Sequence, residues 1–195
     1  MKLFAIALSL SLASLLSGCA TPLPLNTLKY ENDLGVRSSK EATVVVVSGP
    51  ERGSEGSGYM PAGGVFIPIV MGPNPELQFH ADDQQEFAQS LRTELVRTGV
   101  LKAAEAEDGR SRDFKIRIFF AQTQHYPTFQ QYALEVVVEM TGGKEPTLKH
   151  YRILSSDKDT TWEKWNTNAY QGKQKAAKLL LDELMPDIAT YVAES

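Results

Sequence analysis

The sequence predicts an α+β fold, a two-layer sandwich in which two helices cover one face of a mostly antiparallel sheet of four or five strands. Three observations predict this class: a β-branched run at Thr43–Ser48, a segment after Asp82 with apolar residues at helical spacing, and two later segments with alternating apolar and polar residues. One helix precedes most of the strands and one follows them. That order suits a single two-layer domain.

The run Thr43–Ser48 (TVVVVS) is typical of a central strand, because four consecutive valines leave no polar face. The next stretch, Gly49–Pro75, is rich in glycine and proline, and we expect a long loop there. The loop finishes in the apolar run Val65–Met71. Pro68 within this run cannot donate a ladder hydrogen bond, so any strand there is an edge strand or a broken one.

Asp82 and Asp83 open the first predicted helix. Asp83 and Glu86 fit a capping box in which aspartate replaces serine or threonine. Gly99 provides the stop signal. The apolar face of this helix recurs every four residues, at Phe87, Leu91 and Leu95.

Apolar and polar residues alternate over Phe114–Ala121 and over Tyr132–Met140, as in antiparallel strands with one buried face. A turn at Thr141–Lys144 leads to a shorter strand at Leu148–Leu154. The link from Val100 to Glu107 has no clear period.

The chain ends in a long predicted helix, for which Asn168 is the candidate N-terminal cap. Pro186 is expected to kink this helix or to start a separate last turn. Its apolar positions are Ala176, Ala177, Leu180, Leu184, Ile188 and Val192.

Length and composition fit one soluble domain, with 195 residues, 42% of them hydrophobic and 23% charged. The net charge of −4 argues against nucleic acid as a partner, since phosphate binding requires a clustered positive surface. It also argues against loose electrostatic adhesion to anionic lipid.

The N-terminus has the layout of a secretory signal peptide over residues 1–18: a lysine, then an uncharged apolar stretch too short to span a membrane. The stretch ends in Leu16, Ser17, Gly18 and Cys19. These four residues resemble the lipobox of bacterial lipoproteins. The resemblance implies cleavage before Cys19, diacylglycerol on its thiol and an acyl group such as palmitate on the new N-terminus. Cys19 is the only cysteine of the chain.

The same resemblance implies the location of the mature protein. Ala20 rather than aspartate follows the cysteine, which in such lipoproteins permits transfer to the outer membrane, on its periplasmic face. Residues 19–42 contain prolines and polar residues without a period, and we expect a lipidated flexible tether there. Residues 43–195 are then the single periplasmic domain.

The order of elements over residues 43–193 resembles lipopolysaccharide-assembly lipoprotein E and the auxiliary lipoproteins of ABC transport systems. The lipoprotein activators of penicillin-binding proteins are an alternative relative. These resemblances imply a non-enzymatic accessory or assembly subunit of a cell-envelope transport or cell-wall complex. Its partners would be membrane lipid through Cys19 and an envelope protein.

Sequence motifs for catalysis, metal binding or a cofactor are not recognisable. The histidines His80, His125 and His150 have no helical metal-ligand spacing. The glycine-rich stretch Gly53–Gly58 lacks the lysine and hydroxyl residue of a phosphate-binding loop. We therefore expect no enzyme activity, no metal and no cofactor. The alternatives are a periplasmic hydrolase with a dispersed site, or a structural or stress-related surface lipoprotein.

Two aromatic and apolar regions are candidates for contact with a protein partner. In the first, an apolar run follows a glycine-rich loop, and it would dock on a partner or dip into lipid; the competing interpretation is an edge strand that covers the sheet. In the second, tryptophans precede the last helix; they serve either as a contact patch or as a staple between helix and sheet. The candidate contact residues are Tyr59, Phe66, Ile67, Ile69, Trp162 and Trp165.

Overall fold

A computed structural model of the chain describes residues 24–47, 56–62, 65–71, 79–126, 131–155 and 169–195. Within them, two helices and seven strands form an α+β fold, which confirms the predicted class. In chain order the elements are a 3-10 turn (Leu25–Thr27), β1 (Glu41–Val47), β2 (Gly56–Ala62), β3 (Val65–Met71), α1 (Ala81–Arg97), β4 (Ala103–Glu105), β5 (Phe114–Tyr126), β6 (Gln131–Thr141), β7 (Thr147–Leu154) and α2 (Ala169–Ala193).

The main sheet has five strands in the order β4-β1-β5-β6-β7. Strands β5, β6 and β7 pair antiparallel, as their alternating patterns predict. The valine-rich β1 is internal, but it pairs parallel with both neighbours, with Val44 opposite Ile116 of β5 and Glu41 opposite Ala103 of β4. Strand β4 lies in the link where no strand is predicted, because three residues are too few to show a period.

The core lies between one face of this sheet and the two helices. Alternate residues of the strands are buried on that face, among them Ile116 and Ile118 of β5 and Val136 and Val138 of β6. The predicted helix faces are confirmed, because their apolar residues have almost no exposed surface. These are Phe87, Leu91 and Leu95 of α1 and Ala176, Ala177, Leu180, Leu184, Ile188 and Val192 of α2.

Helix α1 begins two residues earlier than the predicted cap. His80 is the N-cap, and the Asp83 carboxylate reaches back to accept the His80 backbone N–H at 2.8 Å. The same carboxylate accepts a hydrogen bond from Lys173 of α2 at 2.9 Å, in an ion pair whose lysine side chain is only 9% exposed. The predicted Asp83–Glu86 box is therefore wrong: Asp83 occupies the third helical position and joins the two helices, and Glu86 has a different contact.

Helix α2 is one continuous element that includes Pro186, so the predicted separate last turn is wrong. Proline removes one backbone donor, but Leu184 and Ile188 on either side of it are fully buried, and their packing holds the helix together. Asn168, the predicted cap, lies outside the described residues. None of the helices in the described part of the chain combines the length and apolar character that a membrane span needs.

Candidate anchor and contact sites

Four of the ten predicted site residues lie in the part of the chain that the structure describes. Cys19 with its lipobox residues Leu16, Ser17 and Gly18 lies outside it, and so do Trp162 and Trp165. The four other candidates come together in one hairpin, with Tyr59 in β2 and with Phe66, Ile67 and Ile69 in β3.

Strands β2 and β3 form an antiparallel hairpin that is a separate two-stranded sheet. Its register places Tyr59 opposite Pro68 and Pro61 opposite Phe66. The predicted long loop is thus partly wrong, because its glycine-rich approach Gly56–Ala62 is a strand. A two-stranded hairpin tolerates proline, because each of its strands has one edge without a partner strand.

The hairpin sequence contains no charged residue in either strand. Every residue of β3 is apolar. An isolated two-stranded hairpin is at best marginally stable in water. Among the described strands, this hairpin pairs only with itself.

The described part of the predicted tether packs against α1. Leu25 and Tyr30 are 3% and 4% exposed. The chain continues along the helix to its C-terminal end, where the Ser38 N–H donates to the carbonyl of Gly99 at 3.0 Å. The flexible tether predicted over residues 19–42 is therefore wrong for residues 24–40. Burial of apolar side chains and backbone hydrogen bonds fix this segment, which we call the N-terminal strap.

Polar side chains along one stripe of α1 hold the backbone of the strap. The Glu86 carboxylate accepts the Leu25 N–H at 2.8 Å. The Ser90 hydroxyl donates to the Leu25 carbonyl at 2.7 Å and accepts the Leu28 N–H at 3.2 Å. Residues four apart lie on one helix face. These side chains therefore form hydrogen bonds with the backbone groups of the strap, as the backbone of a neighbouring strand would.

Glu94 forms a buried contact of this kind, with 3% of its side chain exposed. It accepts the Tyr30 N–H at 2.7 Å and hydrogen bonds from the Arg97 guanidinium at 2.6 to 3.0 Å. Arg97 also donates to the Tyr30 carbonyl. Burial opposes ionisation of Glu94, but the hydrogen bonds from Arg97 and Tyr30 outweigh it and lower the pKa of the Glu94 carboxyl.

The polar stripe of α1 is visible in the sequence as a regular spacing, although it was not predicted to bind the strap. Glu86, Ser90 and Glu94 recur every four residues, directly beside the apolar stripe of α1. Such spacing is more often a solvated helix face. It becomes a docking site here because Leu25 and Tyr30 of the strap supply apolar residues that cover it.

The strap shortens the distance between the predicted lipid site and the domain. Five peptide links separate Cys19 from Pro24, and an extended chain spans at most about 3.6 Å per residue. Cys19 therefore lies within about 18 Å of Pro24, whatever conformation the intervening residues adopt. A lipid on Cys19 would keep the domain close to the membrane surface.

Two of the described titratable groups, His80 and Tyr151, make contacts that have a structural role. His80 caps α1. The Tyr151 hydroxyl donates to Asp187 of α2 at 2.6 Å, and burial together with this carboxylate raises the pKa of Tyr151. In the described ranges, no three histidine, aspartate, glutamate or cysteine residues gather as metal ligands would.

Comparisons with known proteins relate the chain by fold alone. No protein-family model and no curated protein matches it. Its fold is similar to that of a Xanthomonas campestris protein described by the family model DUF330, with a TM-score of 0.50 and 14% identity over 87% of this chain and 94% of that one.

Two further solved structures align more loosely. One is an uncharacterised protein, with a TM-score of 0.36 and 11% identity over 80% of this chain and 97% of that one. The other is a candidate lipoprotein from Caulobacter crescentus CB15, with a TM-score of 0.30 and 15% identity over 55% of this chain and 83% of that one. Likenesses this distant support no functional argument.

Proposed function

We propose that this chain is a lipid-anchored, non-enzymatic accessory or assembly subunit of a cell-envelope transport or cell-wall complex. Cys19 carries the lipid, the domain faces the periplasm from the outer membrane, and the hairpin β2–β3 contacts the protein partner. The lipobox at Leu16–Cys19 supports the anchor.

The observation that carries the partner contact is the charge-free hairpin. Soluble domains keep such strands inside or cover them, since apolar surface in water is unfavourable by about 25 cal/mol per Å². A hairpin that pairs with none of the described strands of the main sheet gains this cover from a partner. Phe66 and Ile69 of β3 then supply apolar contact area.

The strap supports the accessory role through its rigidity. The backbone N–H groups of Leu25, Leu28 and Tyr30 donate hydrogen bonds to Glu86, Ser90 and Glu94 of α1. The membrane anchor and the domain are therefore separated by a short link. A short link raises the effective concentration of the domain near membrane-embedded partners. The arrangement suits a subunit that works at the membrane surface.

The test replaces Phe66 and Ile69 by serine in the full-length chain. Partners are recovered from cells by crosslinking and mass spectrometry, and urea unfolding of the purified protein is measured in parallel. Leu148→Ser is the matched control, because Leu148 is the most exposed large apolar side chain of the described residues, at 60%. We expect loss of specific partners with the hairpin variant, near-normal stability, and no loss with the control.

Two outcomes contradict the proposal. A stability loss above about 2 kcal/mol in the hairpin variant assigns the hairpin to the core of the domain. Unchanged recovery of every partner assigns the contact to another surface. Hydrolysis of peptidoglycan fragments by the purified protein would favour the alternative of a periplasmic hydrolase.

A further inference from the structure

The strap lies on the surface of the domain and is not part of the sheet. Its hydrogen bonds to α1 at Leu25, Leu28 and Tyr30 all involve side chains of α1, and none of the described strands pairs with it before Glu41. On its other side, a groove of about 440 Å³ lies between the strap and the N-terminal half of α2. Removal of the strap therefore interrupts no strand pairing of the described sheet.

The stripe of α1 that holds the strap is compatible with water. Glu86, Ser90 and Glu94 direct polar groups at the backbone of the strap. When the strap leaves, water can form hydrogen bonds with each of these groups, whereas an apolar stripe would oppose the departure. The fully buried apolar side chains that leave with the strap are those of Leu25 and Tyr30. This composition favours separation of the strap ahead of unfolding of the domain.

Release of the strap changes how far the domain can move from a lipid on Cys19. With the strap docked, five peptide links join Cys19 to Pro24, which limits the distance between these residues to about 18 Å. With the strap released, 22 links join Cys19 to Glu41, and the limit becomes about 79 Å. A released strap therefore gives an anchored domain about 60 Å of additional reach.

We propose that the strap is a releasable length of tether, docked on α1 while the domain rests at the membrane and released when a bound partner draws the domain away. The inference rests on the proposed lipid anchor at Cys19, because only a fixed N-terminus makes docking a limit on reach. Tension at Cys19 loads the contacts of Leu25, Leu28 and Tyr30 one after another, so the strap separates from its N-terminal end. Contacts that break singly yield at a lower force than the paired strands of the sheet, which are loaded together.

The experiment pulls the chain between its two ends in optical tweezers. The chain 19–195 is made without lipid and carries Ser195→Cys. Because Cys19 is the only native cysteine, the thiols at positions 19 and 195 are the two points of attachment. The load therefore acts on the strap at the residue that carries the lipid in the proposed anchor.

We expect two extension steps. The first is release of residues 24–40, which adds at most about 60 Å and reverses when the force is lowered; the second is unfolding of residues 41–195, which adds about 560 Å. Glu94→Ala should raise the rate of the first step about tenfold or more at constant force and leave the second unchanged, because Glu94 is in water once the strap has left.

Two control variants separate the strap from the core. Leu91→Ala should speed the second step and leave the first unchanged, because Leu91 is fully buried in the core. Glu145→Ala removes a carboxylate from an exposed position outside the strap and should change neither step.

Failure of this inference is distinguishable from failure of the anchor. A single step, in which the strap and the domain yield together, overturns the inference and makes the strap a permanent part of the core. An equal effect of Glu94→Ala on both steps also overturns it. The anchor is tested separately, by flotation of the mature protein with phosphatidylcholine vesicles. A protein that does not float lacks the lipid, which contradicts the proposed function and removes the role of the strap in reach, even when both steps are present.

Discussion

Loss of the Glu94 carboxylate should release the N-terminal strap and destabilise the domain. In Glu94→Ala the buried Tyr30 N–H loses its acceptor and Arg97 loses its partner. An unsatisfied buried donor costs about 1–3 kcal/mol, and a hydrogen bond to a charged group contributes about 1.5–3 kcal/mol. Because half of the Arg97 side chain is exposed, water replaces part of its interaction. We therefore expect a total loss of about 3 kcal/mol.

Urea unfolding of the soluble chain 24–195, together with amide exchange of Tyr30, measures this effect. Glu94→Gln should cost less, about 1–2 kcal/mol, because its amide oxygen still accepts the Tyr30 N–H. Glu145→Ala is the control, since Glu145 is exposed and should change stability by less than about 0.5 kcal/mol. A loss below about 0.5 kcal/mol in Glu94→Ala, with Tyr30 still protected from exchange, would refute the assignment of the strap.

The pH dependence of stability provides a second readout of Glu94. Its pKa is lowered in the folded state, so the folded chain binds fewer protons than the unfolded chain near the ordinary value of 4.5. The stabilisation is therefore present above about pH 4.5 and is lost as the pH falls through the folded pKa. Glu94→Gln should flatten this acid limb, and an unchanged limb would contradict the stated cause.

Three further predictions concern the core, a turn and the alkaline limit. Leu91→Ala and Leu180→Ala should each cost about 2–5 kcal/mol in urea unfolding, because both side chains are fully buried; a loss under about 0.5 kcal/mol would contradict the packing. Gly142→Ala should destabilise more than Gly109→Ala in the same assay. Both glycines have positive φ, but a Cβ at Gly142 would lie 2.0 Å from the Asp113 carbonyl oxygen, whereas none of the described atoms comes within 4 Å at Gly109; equal losses would be inconsistent with this contact. Burial and Asp187 raise the pKa of Tyr151, so stability should fall as the pH rises above about 10, the unfolded value, and Tyr151→Phe should weaken that fall in alkaline melts.

The spacing of apolar residues predicted those helices and strands that bury one face and expose the other. The four-residue repeat of Phe87, Leu91 and Leu95 predicted α1, and the alternation around Ile116 and Val136 predicted antiparallel strands, because each buries one face. The valine run predicted an internal β1. Its parallel pairing could not be predicted, since a strand that is apolar throughout shows neither direction nor register.

The sequence did not predict the elements that are held mainly by hydrogen bonds of the backbone. The strap has no periodic pattern, because side chains of α1 satisfy its backbone; Leu25 and Tyr30 are its buried apolar residues, and others pack only partly buried against the core. The hairpin strand Gly56–Ala62 was predicted as loop, because glycine and proline are depleted in strands. Of the candidate site, the residues of β3 stand out by their apolar run, whereas the hydrogen bonds between the strap and α1 join residues 61 to 64 positions apart in the chain.

The chemical state of Cys19 in the mature protein tests the central claim most directly. Mass spectrometry of the N-terminal peptide, purified from membranes of the native host, measures it. The account predicts a chain that begins at Cys19 and carries a thioether-linked diacylglycerol and an N-acyl group, and it predicts loss of both in Cys19→Ser. A mature chain that retains Leu16–Gly18, or that carries an unmodified Cys19 thiol, would contradict the lipid anchor and with it the proposed location of the domain at the membrane.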